Sequence, residues 1–238
     1  MVYWMRDPTR RFRERPFYRP EEIDAACERL VNEFLLKHRG KVEYPLTTDD
    51  LTILIERNVR DLDLYADLSD DGTDVEGVTR FAVGHQPAIA IADPLSSDER
   101  RANRLRTTLA HELGHAKFHD EVFQMAFSSG DLLSEAREAK IVCKRETMID
   151  APQTDWMEWQ ACYASGAYLM PRSAVHDLLR PAVTASKRLP PFHVAGEEAP
   201  AFIEVIIDRF AVSKEAAKVR LIKLGFLTTE VRTPTLFD

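Results

Sequence analysis

The chain has 238 residues, 45% of them hydrophobic and 30% charged, and a formal net charge of −7. That is enough for one moderate domain with an appendage and a substantial core. The acidic balance argues against a protein coated in nucleic acid, which needs concentrated positive charge. Cys27, Cys143 and Cys162, with no CxxC among them, argue against a disulfide framework or a cysteine zinc site and fit a reducing, cytoplasmic setting. No apolar run approaches the ~18 residues needed to span a bilayer, and the N-terminus lacks the apolar core of a secretory signal, so no membrane partner is expected.

Residues 1–19 carry Arg6, Arg10, Arg11, Arg13, Arg15 and Arg19 against Asp7 and Glu14, with aromatic residues interleaved. They read as a basic, flexible or loosely docked arm, with a nucleic-acid contact as the less favoured alternative. A helix is predicted from about Glu21 to Arg39. Ile23, Cys27, Leu30, Val31 and Phe34 form its buried face, and Gly40 ends it. Thr47 can cap a second helix with Leu51, Leu54 and Ile55 inward. Leu62, Leu64, Ala66 and Leu68 alternate with Asp61, Asp63, Tyr65 and Asp67, the period-two pattern of a half-exposed strand whose outward aspartates discourage edge pairing. Val78–Val83 and Ala88–Ala92 read as two more strands, giving a small, mostly antiparallel sheet beside the helices. Ser96 and Glu99 have the spacing of a capping box for the helix that follows.

That helix carries His111-Glu112-Leu113-Gly114-His115. Residues four apart lie one turn apart on one helix face, so both imidazoles can point at one ion. Zinc accepts neutral imidazole nitrogen at about 2.0–2.1 Å. Glu112 lies roughly 100° around the helix from His111, placed to act on a water without being a ligand, as a general base must. Leu105, Leu109, Leu113 and Ala116 form an apolar stripe from which the histidines and Glu112 are turned away.

Two histidines fall one short of the three protein ligands of a catalytic zinc. Residues 120–156 read as irregular. Beyond them, a helical stretch from Met157 to Met170, stopped by Pro171, offers Glu158 as its only carboxylate. A glutamate from this helix with two histidines from the other makes a His₂Glu set. His119 continues the four-residue series, but it lies about 12 Å along the helix axis from His111, too far to share one ion. It reads as a residue that packs beside the ligands or hydrogen-bonds one of them. Glu121 stands where a third histidine of the metzincin pattern would be.

Pro171 starts a further helix to about Leu179, and Pro190-Pro191 opens a loop. The segment from Ala201 to Leu227 then reads as helix-turn-helix. Phe202, Ile203, Ile206 and Phe210 lie on the first helix, Ser213 is the N-cap of the second, and Gly225 is its end. Ala216, Ala217, Val219, Leu221 and Leu224 indicate a buried second helix, so packing is favoured over DNA reading. The expected division is a basic arm at residues 1–19, a metallopeptidase domain at 20–190, and a C-terminal helix-turn-helix-like unit with its tail at 191–238.

With these motifs in view the chain resembles the ImmA/IrrE family of metallopeptidases. The resemblance rests on Thr108-Leu109-Ala110-His111-Glu112-Leu113-Gly114-His115 with His119, the run from Glu158 to Leu169-Met170-Pro171, and Phe210-Ala211-Val212-Ser213 through Leu224-Gly225. Val75-Glu76-Gly77 is similar to the family's strand before the active helix. The resemblance implies an α+β, zincin-like core, a metal held by His111, His115 and Glu158, and Glu112 as base. It also implies a helix-turn-helix repressor as substrate, or a partner in a toxin–antitoxin pair. In the family, the position after Ala161 holds a small polar side chain able to hydrogen-bond a ligand histidine; here it is Cys162.

The reading favoured by these observations is an endopeptidase using zinc, with manganese as the alternative metal. Tyr65, Tyr163, Tyr168, His85 and His176 are the candidates for a donor to the oxyanion, with no choice among them. Two rival readings are a non-catalytic, metal-stabilised binding or toxin–antitoxin protein, and a DNA-binding regulator acting through residues 201–227.

Overall fold

The computed structural model describes residues 3–129, 137–144 and 150–230. By its contacts the chain divides into two compact units, Met1–Leu169 and Met170–Asp238. The boundary expected at residue 190 falls inside the second unit.

The first unit opens with a hairpin, β1 (Tyr3–Arg6) and β2 (Glu14–Phe17). The basic arm is therefore folded rather than loose. Asp7 is buried and accepts from the backbone N–H of Phe12 at 3.0 Å, which fixes the connection. Phe12 packs with Phe81, Phe123 and Trp156 in one apolar cluster, edge-on to Phe123 at 5.1 Å between centroids. Arg15 lies over Trp156 at 5.2 Å. Arginine can stack on an aromatic face while its charged end stays near water, so a basic sequence can dock without a basic partner.

Helix α1 (Pro20–Arg39) ends at Gly40 as expected. Helix α2 (Thr48–Glu56) is capped by Thr47, with Asp50 completing a capping box and pairing with Arg39. The sheet has β3 (Asp61–Ala66), β4 (Val75–Ala82), β5 (Ala88–Ala92) and β6 (Glu138–Lys144). Its order is β3-β5-β4-β6. β3 pairs with β5 in parallel, and both other pairings are antiparallel, so the sheet is mixed.

Helix α3 (Asp93–Ser96) precedes the long helix α4 (Ala102–Ser128). The expected Ser96–Glu99 capping box does not form. Pro94 starts a short helix one turn early, Ser96 closes it, and the N-cap of α4 is Arg101 without a side-chain cap. The start of α4 is instead tied to β4 through Glu76, which pairs with Arg101 at 2.6 Å and Arg104 at 2.5 Å. Nor is the segment after residue 120 irregular throughout. α4 continues to Ser128 on a stripe of Val122, Phe123, Ala126 and Phe127, all buried, and β6 follows.

Helix α5 (Trp156–Leu169) packs against α4 along small residues. A Cβ at Gly114 would meet Ala161 Cα at 3.1 Å and Ala164 Cβ at 3.2 Å. Glycine and alanine at this seam let the two backbones approach closely. Ser165 adds a hydrogen bond to the carbonyl of Thr107 at 3.1 Å.

The second unit has α6 (Arg172–Ser186), β7 (Phe192–His193), α7 (Glu198–Phe210), α8 (Lys214–Lys223) and β8 (Leu227–Thr228). α6 runs past the expected end at Leu179, with Pro181 inside it. Ser213 caps α8, accepting from Ala216 N at 3.2 Å. Phe192 meets Phe202 edge-on at 5.2 Å, and Arg220 Nε donates to the carbonyl of Met170 at 3.0 Å. No helix among the described residues is long and apolar enough to cross a membrane.

Candidate metal centre

One turn of α4 brings His111 Nε2 and His115 Nε2 to 2.9 Å from each other. Glu158, in the first turn of α5, reaches both: Oε2 lies 3.3 Å from His111 Nε2 and Oε1 lies 3.3 Å from His115 Nε2. The Gly114–Ala161 seam is what allows this, because it sets the first turn of α5 directly over the histidine pair. The histidines do not face outward as the apolar stripe suggested. His111, Glu112, His115 and His119 are all fully buried, because β4 and α5 cover the polar side of α4.

A fourth group joins them. Cys143 Sγ, from β6, is 3.4 Å from His115 Nε2. The ligand atoms of His111, His115, Cys143 and Glu158 all lie within 4.8 Å of one another. A cysteine ligand is not expected from the sequence, which has no CxxC. The available signal was the alternation of Ile141 and Cys143, both buried, in a stretch read as irregular.

The protonation of the cluster follows from its outer partners. Gln160 Nε2 donates to the carbonyl of Pro16 at 3.3 Å, so Gln160 Oε1 is the atom facing His119 Nε2 at 3.1 Å. An amide oxygen only accepts, so His119 Nε2 carries a proton. Burial first, and then His115, hold the pKa of His119 well below the ordinary histidine value, so the ring is neutral and its Nδ1 is bare. That bare nitrogen lies 3.0 Å from His115 Nδ1, which must therefore be the donor. In its neutral form His115 then presents its Nε2 lone pair to the cluster, the form a metal requires. The chain of contacts starts at β2, so the N-terminal hairpin takes part in setting a tautomer at the centre of the unit. On the other side, Cys162 Sγ lies 3.8 Å from His111 Nδ1.

Glu158 is held well below the usual carboxylate range. Burial opposes this, but the adjacent His115 and His111 outweigh it. Two imidazole nitrogens, a carboxylate and a thiol converging in a buried space fit a borderline-soft cation better than they fit one another.

Glu112 is not in the ligand set. Thr79 Oγ1, on β4, donates to Glu112 Oε2 at 2.6 Å. Glu112 Oε1 is buried and has no hydrogen-bond partner. An unpaired buried carboxylate oxygen is costly and marks a place where chemistry is prepared. Gly77 makes room for it: a Cβ at that position would run into the Glu112 carboxylate, with Cδ at 2.8 Å. Thr79 and Gly77 were not singled out as site residues from the sequence, because their role exists only once β4 lies against α4.

The candidate oxyanion donors are dispersed. Tyr163 Oη donates to Asp24 Oδ2 at 2.8 Å, and Tyr168 is buried beside Cys27. Tyr65 is 66% exposed on β3. His85 lies in the β4–β5 connection, and His176, in the second unit, packs on Phe226 at 4.8 Å.

A family model described as the IrrE N-terminal-like domain, Peptidase M78, matches residues 73–222, which is more than half of the chain. The match runs from just before β4 to the end of α8 and so includes every residue of the cluster. Comparison with curated proteins finds none that matches.

Proposed function

The chain belongs to the IrrE N-terminal-like family of M78 peptidases, and on that premise we propose that it is a zinc-dependent endopeptidase in which His111, His115 and Glu158 hold the ion and Glu112 is the general base. The observation that carries this reading is the pairing of a convergent ligand set with a buried, unpartnered oxygen on Glu112 beside it. Three protein ligands of the His₂Glu kind leave a corner for solvent or substrate. The thiol near the set favours zinc over manganese, since manganese prefers hard oxygen donors.

When bound, the cation lowers the pKa of water towards about 7 and polarises the scissile carbonyl. Glu112 Oε1 takes a proton from the attacking water and returns it to the leaving amine. Thr79 holds the other oxygen, so the carboxylate presents one defined atom. Glu158, mostly buried and set against both imidazoles, directs its charge to the ligand set. The His119–Gln160–Pro16 chain keeps His115 in the tautomer that exposes Nε2.

The substrate proposed is a helix-turn-helix repressor or an antitoxin protein. What supports it is the order and spacing of the segments that resemble the ImmA/IrrE family. The reaction is tested with Glu112→Gln. The variant should retain its metal and lose activity by the factor a general base supplies, about 10²–10⁴. Cleavage at the wild-type rate by Glu112→Gln would sink the mechanism.

A further inference from the structure

The structure assigns Cys143 as a fourth ligand that closes the metal centre, so that the form described here is latent. This rests on reading the cluster as a metal site, and it goes beyond that reading in placing a protein atom where solvent would sit.

A structural zinc site is closed by four protein ligands, whereas a catalytic one keeps a position open. Here the fourth position has an occupant. Cys143 is fully buried, lies 3.4 Å from His115 Nε2, and belongs to the same 4.8 Å group as His111 and Glu158. Thiolate is among the strongest zinc ligands, and binding would release the thiol proton to solvent. Glu112 Oε1, buried without a partner, is not consumed by this closure.

The strand that carries Cys143 adds a second argument. In the β4–β6 pairing, Cys143 stands opposite Gly77, the residue that makes room for Glu112. β6 is the edge strand beside β4, and it occupies the β4 edge at the level of the base and the ligands. An extended peptide that added itself to β4 would need the same backbone groups. With β6 in place, Cys143 stands where the reacting part of such a peptide would be. The strand is held by its ladder, by the ion pair of Lys140 with the largely buried Asp71, and by the exposed pair of Lys144 with Asp74. The exposed pair contributes little and the ladder is irregular between Val75 and Gly77, so the end of β6 that carries Cys143 is its less firmly held end.

Cobalt(II) substitution tests this without relying on turnover. The full chain is loaded with cobalt as wild type, Cys143→Ala, Cys143→Ser and Cys162→Ser. Wild type and Cys162→Ser should show a near-ultraviolet thiolate-to-cobalt charge-transfer band. Both Cys143 variants should bind cobalt and lose the band. Two variants of different size keep the test meaningful if one folds poorly. Acetohydroxamate, a small bidentate ligand, should then perturb the visible cobalt bands of the Cys143 variants at a lower concentration than wild type requires. Cobalt bound without a thiolate band in wild type would overturn the assignment and leave the metal centre standing. A band retained in the Cys143 variants, or equal hydroxamate concentrations, would overturn the closure. Failure of every form to bind cobalt would overturn the metal centre itself, and the assignment with it.

Discussion

The candidate metal centre and the C-terminal unit bury their side chains by different rules. In the C-terminal unit, buried positions are apolar, as with Phe192, Phe202, Ile206, Phe210 and Leu221, and buried Arg220 donates to a backbone carbonyl. In the centre of the first unit, one stretch of α4 buries His111, Glu112, His115 and His119 together, and α5 adds Gln160. An interior of the first kind stabilises by removing apolar area from water, about 25 cal/mol per Å². An interior of the second kind costs free energy unless every polar atom is satisfied. Glu112 Oε1 is left unpaired there. The C-terminal unit buries mainly apolar side chains, whereas four titratable groups buried on one helix call for a function to account for them.

That contrast predicts different consequences for substitutions in the two regions. The largest effect on stability should come from the C-terminal unit. Phe210→Ala should cost about 3–5 kcal/mol of folding free energy, read by chemical denaturation, while bound metal per folded chain stays unchanged. A loss of metal from the still-folded Phe210→Ala protein would blur the division.

Within the centre, Gln160→Leu should cost metal affinity. Removing the amide frees His119 to adopt the other tautomer and removes the constraint that points His115 Nε2 inward. The expected loss is about 10–100-fold, the range seen for outer partners of metal-binding histidines. Competition with a chromogenic chelator measures it, and an unchanged affinity would show that the hydrogen-bond chain from Pro16 is packing only.

The smallest effect should be Ser213→Ala, which removes the N-cap of α8. About 1 kcal/mol of stability should be lost, seen as a shift in the denaturation midpoint with the metal content untouched.

The same contrast explains what could be read from the amino-acid order. The approach of His111 and His115 follows from spacing on one helix, and the ends at Gly40 and Ser213 follow from local backbone chemistry. These depend on neighbours in the chain. The full burial of the histidines does not, because it is made by β4 and α5, which come from elsewhere. The continuation of α4 past residue 120 was hidden by His119, Asp120 and Glu121, a polar run that interrupts the apolar stripe before Val122 and Phe123 resume it. β6 is hard to read from sequence because its inner face is only Ala139, Ile141 and Cys143, three residues among mostly charged neighbours. The parallel pairing of β3 with β5 was equally hidden, since their alternation fits either direction. The basic hairpin reads as a loose arm from sequence because its anchors, Phe12, Arg15 and the Pro16 carbonyl, meet partners far along the chain. Gly77, Thr79 and Cys143 acquire meaning only through the β4 and β6 register.

The central claim is that two imidazoles of α4 and one carboxylate of α5 share a cation. It is tested most directly by elemental analysis of the purified full chain after zinc loading and desalting, beside His111→Ala and Glu158→Ala. One zinc per wild-type chain and a large loss in both folded variants is the result this structure predicts. Wild type without zinc, or variants that keep it in full, would contradict the claim.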